Sequence, residues 1–158
     1  MRFLATALLL SLATPLAAGR IDEARALLAE GRTEEALAAL DPAARSGNAD
    51  AEEMIGVIYS LGLGGMTDEV RAFEWHQRAA LKGHAGAQMS LGWCYELGMG
   101  LPAADPARAF LWYRLAEIGG HPDAAEAVEA LRAKLAPEEI EKAHAMIADY
   151  KGWLYPYR

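Results

Sequence analysis

Apolar positions recur every three to four residues along most of this 158-residue chain, and nowhere do they alternate with period two. That spacing predicts amphipathic helices and no strands. Ile21 to Glu30 reads as a first helix, with Ile21, Ala24, Leu27 and Leu28 on one stripe. Gly31 closes it, and Thr33 caps a second helix through Ala36, Leu37 and Leu40. Pro42 fits that helix poorly, which leaves its last turn open. Further pairs follow: Ala51–Leu61 with Asp68–Lys82, Ala85–Leu97 with Asp105–Ile118, and Pro122–Leu135 with Pro137–Tyr150. Gly62-Leu63-Gly64-Gly65 and Gly98-Met99-Gly100 break the middle pairs, and Pro106 right after Asp105 suits a helix start.

These pairs are copies of one unit. Ala51, Gly56, Tyr59, Gly62 and Gly64 return 36 residues later as Ala87, Gly92, Tyr95, Gly98 and Gly100. After one inserted loop residue, Ala72, Trp75 and Ala79 return as Ala109, Trp112 and Ala116. A period of this length describes helical hairpins that stack on their neighbours. The small residues let helices approach closely, and the aromatics fill the space between one hairpin and the next. The predicted fold is all-α, an α-solenoid. It divides into a leader over 1–19, a degenerate hairpin over 20–50, repeats over 51–86 and 87–123, a capping hairpin over 121–152 and an aromatic tail over 153–158.

The series Ala51, Ile55, Gly56, Tyr59, Gly62, Gly64, Asp68, Ala72, Trp75, Ala79, Ala80, Gly83 resembles the Sel-one-like repeat, a tetratricopeptide-related solenoid. So does its second copy, Ala87, Leu91, Gly92, Tyr95, Gly98, Gly100, Asp105, Ala109, Trp112, Tyr113, Ala116, Gly120, although Glu117 replaces the second alanine of the Ala-Ala pair. The resemblance implies an adaptor that binds other proteins, and an envelope setting. It also implies two alternatives: an envelope enzyme or cell-wall binder, since some secreted relatives are associated with penicillin binding, and a structural subunit of an envelope complex. Exported relatives that carry paired cysteines staple their hairpins, and this chain, with Cys94 alone, depends on packing.

The N-terminus sets the expected compartment. Met1 and Arg2 precede an apolar run from Phe3 to Leu12, then Thr14-Pro15 and the small residues Ala17-Ala18-Gly19. This is the pattern of a secretory signal peptide, and the run is shorter than the roughly 20 residues that span a bilayer. The expectation is an exported, periplasmic or secreted chain without stable membrane insertion. A net charge of −7 argues against nucleic acid, whose phosphates need a basic face.

Catalytic signatures are absent from the sequence: no S-x-x-K, no G-x-S-x-G, no H-E-x-x-H. The Gly-x-Gly turns follow helices, so they do not form a dinucleotide fingerprint. His84 and His121 recur as repeat positions without metal-ligand spacing, and Cys94 lies between Trp93 and Tyr95 with no base in helical reach. No acid–base pair is expected, no cofactor and no metal, and the chain reads as a non-enzyme. The expected site is the concave face lined by first helices: Glu53, Val57 and Ser60, then Met89, Trp93 and Glu96, then Glu126. Trp93 lies off the packing positions and is the expected anchor. The glutamates favour a partner with Lys or Arg. The tail Trp153-Leu154-Tyr155-Pro156-Tyr157-Arg158 is expected to fold back over the last hairpin.

Overall fold

A computed structural model of the chain describes residues 18–65 and 67–154, with side chains as far as residue 149. The expected signal peptide up to residue 17 and the expected fold-back of the aromatic tail lie outside the described residues. The described chain runs through α1 (18–29), α2 (Thr33–Arg45), α3 (Ala49–Leu61), α4 (Glu69–Ala80), α5 (Ala85–Leu97), α6 (Pro106–Ile118), α7 (Ala124–Arg132) and α8 (Pro137–Leu154). A single 3₁₀ turn, Leu63–Gly65, follows α3. No strand occurs among the described residues, and the molecule is an α-solenoid.

Local chemistry sets the ends of the helices in repeat register. Asp68 accepts from Arg71 N and Asp105 from Arg108 N, both at 3.0 Å, to start α4 and α6. Asn48 and His84 do the same for α3 and α5, accepting from Ala51 N at 2.9 Å and Ala87 N at 3.0 Å. Each cap satisfies an N–H that has no partner inside its own helix. Gly62 and Gly98 end α3 and α5 in the left-handed region, at φ 62° and 75°, where a β-carbon would be strained. α3 with α4 and α5 with α6 form the two hairpins, which meet through α4 and α5.

Two apolar clusters make the interior. One joins Ile21, Leu40, Ala44, Ile55 and Ile58 across α1 to α3. The other gathers Leu91, Phe110, Tyr113, Leu115, Val128 and Ala143 across α5 to α8. Ala51, Ala72, Ala79, Ala87, Tyr95, Ala109, Trp112 and Ala116 are buried as their spacing predicted, and Gly56 and Gly92 are buried with them. Tyr59 and Trp75 differ, being only half-buried. Both lie at the edge of the first apolar cluster, whereas their counterparts Tyr95 and Trp112 lie inside the second. Trp75 instead carries the Arg78 guanidinium 4.3 Å from its ring centre.

Several boundaries move. α1 is already helical at residue 18, ahead of Ile21, and α4 is shorter than Asp68–Lys82. α2 continues through Pro42 to Arg45 because Ala39, Leu40, Ala43 and Ala44 are buried on that stretch. Apolar burial there outweighs the lost backbone bond. α7 is confined to Ala124–Arg132, shorter than Pro122–Leu135, while α8 runs on to Leu154, past Tyr150.

Candidate functional site

The first helix of each hairpin presents residues of equal register. Val57 and Trp93 are 36 positions apart, as are Ser60 and Glu96, and Glu53 and Met89. Trp93 is 55% exposed. It lines a depression of about 310 Å³ with Met89, Glu96, Tyr113, Asp123 and Glu126. Four of the expected site residues, Met89, Trp93, Glu96 and Glu126, are thus brought to one place. Glu53, Val57 and Ser60 belong to the neighbouring α3 segment and do not line it.

Below this surface, each hairpin sends one polar ring from its second helix across the first. Tyr113 lies over Gly92, where an added Cβ would fall far inside van der Waals distance of Cδ1 and Cε1. Its hydroxyl donates to Glu96 Oε2 at 2.8 Å. Burial, then the bond to Glu96, pushes the phenol pKa up. Lys134 Nζ donates to the other Glu96 oxygen at 3.3 Å. Glu96 is therefore a held carboxylate, and the acidity facing a partner comes chiefly from Glu126 and Asp123.

The equivalent ring in the first hairpin is His76, which is 2% exposed. It crosses Gly56 so closely that an added Cβ would stand 2.6 Å from its Nδ1 and Cε1. His76 Nδ1 is 2.7 Å from Glu53 Oε2, and its Nε2 is 3.0 Å from Ser60 Oγ. Ser90 Oγ on α5 donates to the other Glu53 oxygen at 2.9 Å. No sequence pattern pointed to this buried histidine between a carboxylate and a serine. Sequence reasoning missed His76 because its partners lie 23 and 16 residues away, outside any local spacing. The available signal was its register: it occupies the Tyr113 position of the preceding unit.

The remaining polar groups are structural. His84 Nδ1 caps α5, and its Nε2 faces Asp50 Oδ1 at 3.1 Å. His121 Nδ1 accepts from Asp123 N at 3.3 Å. No three His, Cys, Asp or Glu side chains are placed to share a metal among the described residues. Buried Glu52 is reached by Lys82 and, at 2.9 Å, by Arg78. The Cys94 thiol is buried, and burial with the charges of Glu53 and Glu69 pushes its pKa up to about 11. None of the described helices is long and apolar enough to cross a membrane.

Comparison with known proteins agrees with this architecture. The family model described as Sel1 repeat matches residues 49–84 and 85–121, so each unit opens two residues before the Ala51 and Ala87 starts. No curated protein gives a significant match. A crystal structure of a protective antigen present in uropathogenic Escherichia coli strains, displaying an SLR fold, superposes with a TM-score of 0.83 at 24% identity. That match covers 89% of this chain and 31% of the antigen, so the chain spans about a third of that relative. A Sel1 repeat protein from Oxalobacter formigenes superposes at 0.64 with 30% identity, covering 77% of this chain and 97% of the other.

Proposed function

Since the chain belongs to the Sel1 repeat family, whose members are generally protein-interaction modules, we propose that it is an exported adaptor binding a basic partner segment on its first-helix face. The observation that carries this reading is Trp93, a large aromatic 55% exposed in a depression of about 310 Å³. Half-exposed tryptophan beside methionine is the side-chain chemistry of binding hot spots. Glu126 and Asp123 on the rim attract a Lys- or Arg-bearing segment and raise its rate of encounter. The signal-like pattern of the first 19 residues supports export.

The test is a cross-linking capture from the periplasm, followed by titration of the captured protein against Trp93→Ala and Glu126→Lys. Glu53 is unsuitable as a probe, because it holds His76 and Ser90. Trp93→Ala is expected to weaken binding by at least about 2 kcal/mol, the hot-spot scale, with little change in thermal stability. Equal affinity in both folded variants refutes the site. Recovery of the chain from cytoplasm alone, with its leader intact, refutes export.

A further inference from the structure

We propose that Glu53, His76 and Ser60 form a nucleophilic relay, in which Ser60 is acylated by activated esters. Glu53 is an acceptor at Nδ1, 2.7 Å away, so the proton of a neutral His76 sits on Nδ1. The Nε2 lone pair then faces Ser60, whose hydroxyl donates across 3.0 Å. This is the nucleophile, base and orienting-group order of activated serines, at hydrogen-bond distances throughout. Burial and the close crossing at Gly56 lock the ring, while Ser90 holds the far side of Glu53 at 2.9 Å. Ser60 itself is half-buried on a helix face shared with Val57 and beside Leu61, which is 68% exposed.

The next hairpin shows that packing does not demand this arrangement. At the positions of Glu53, Ser60 and His76 it has Met89, Glu96 and Tyr113, and it closes around Tyr113 equally well. The first hairpin therefore carries a base and a nucleophile where the fold accepts a phenol and a methionine.

The place of Ser60 decides the substrate class. It lies in the last turn of α3, where the helix presents carbonyl oxygens and partial negative charge. That end gives a developing oxyanion no help, and lacking a donor costs about 10²- to 10³-fold in rate. Acyl donors with a good leaving group, such as aryl esters, tolerate that loss, and amides do not. In the first step Ser60 Oγ bonds to the acyl carbon as His76 Nε2 takes its proton. The aryloxide departs and receives that proton. Water then attacks the acyl-serine, giving its proton to Nε2, and Ser60 Oγ leaves, reclaims the proton and releases a carboxylic acid.

The purified full chain is treated with an alkyl fluorophosphonate and digested for peptide mass spectrometry, with p-nitrophenyl acetate turnover measured in parallel. His76→Tyr is the main comparison, because Tyr113 shows that this ring fits the position; Ser60→Ala and Glu53→Gln accompany it. The proposal expects Ser60 to be modified, with a rate at least about a hundredfold lower in folded His76→Tyr, the scale of general-base catalysis. Glu53→Gln is expected to fall between the two, as a positioning change. An unmodified Ser60 peptide overturns the proposal, and so does a folded His76→Tyr that labels at the parent rate.

Discussion

Replacing Gly92 by alanine separates the two effects that glycine has in a helix. On propensity alone, an interior Gly→Ala change in α5 gains about 1 kcal/mol. Here the new methyl meets the Tyr113 ring, approaching Cδ1 and Cε1 inside the 3.0 Å that Cβ atoms keep, with Cζ at 3.1 Å. Tyr113 is 1% exposed and its hydroxyl is tied to Glu96 at 2.8 Å, so the ring has no free direction. If it stays, the overpacking costs about 1–3 kcal/mol. If it shifts, a hydrogen bond to a carboxylate worth about 1.5–3 kcal/mol is lost as well as core packing. The net after the propensity gain is a loss of up to about 2 kcal/mol. For a chain of this size that lowers Tm by up to roughly 8 °C, at about 2–4 °C per kcal/mol. Urea and thermal unfolding of Gly92→Ala, alone and with Tyr113→Ala, form the cycle. In the Tyr113→Ala background the methyl has room, and Gly92→Ala is expected to turn neutral or stabilising. A single mutant that shows the full propensity gain of about 1 kcal/mol, or the same change in both backgrounds, refutes the close-crossing argument.

Two further outcomes follow from the caps and the thiol. Asp105→Ala removes the acceptor for Arg108 N at the start of α6 and is expected to cost about 1 kcal/mol, whereas Asp105→Asn restores most of it; equal melting curves for the two refute the cap. Cys94, with its pKa raised from 9.0 to about 11 by burial first, is expected to resist iodoacetamide at pH 8 until the protein unfolds. Because the folded-state value is raised, the thiol's contribution is intact below pH 9.0 and is lost as pH rises towards about 11. Chemical denaturation across that window, compared with Cys94→Ala, reads this directly; alkylation of the native protein at the unfolded rate refutes it.

The repeat was legible because each unit solves the same packing problem. Alanine or glycine must stand wherever two helix backbones approach, and a large ring must fill the adjoining gap, so the residues recur at the period of the hairpin. The caps Asp68 and Asp105 and the left-handed glycines Gly62 and Gly98 are equally local, since each acts within about one helical turn. The grouping of Met89, Trp93, Glu96 and Glu126 was within reach of register alone, because neighbouring first helices present equal positions side by side.

Other features depended on which neighbour arrived from elsewhere in the chain. Trp75 and Trp112 are the same residue in the same register, yet only Trp112 is enclosed, because it lies inside the larger cluster that spans α4 to α8 while Trp75 lies at the edge of the cluster of α1 to α3. Pro42 remains inside α2 because the apolar face around it is buried against α1 and α3, an energy that no single-helix propensity contains. The Glu53–His76–Ser60 chain and the Tyr113–Glu96 bond join residues 16 to 23 positions apart on different helices. Periodicity places a residue on a face, and hydrogen bonding between faces depends on crossing distance and ring size. By itself the sequence determined the all-α repeat, the helix starts at Asp68 and Asp105 and the glycine stops at Gly62 and Gly98, because these rest on contacts within a turn or between identical units. The tertiary structure decided which aromatic stays wet, which glutamate is held and which histidine meets a serine, because those depend on distances set only when the hairpins stack.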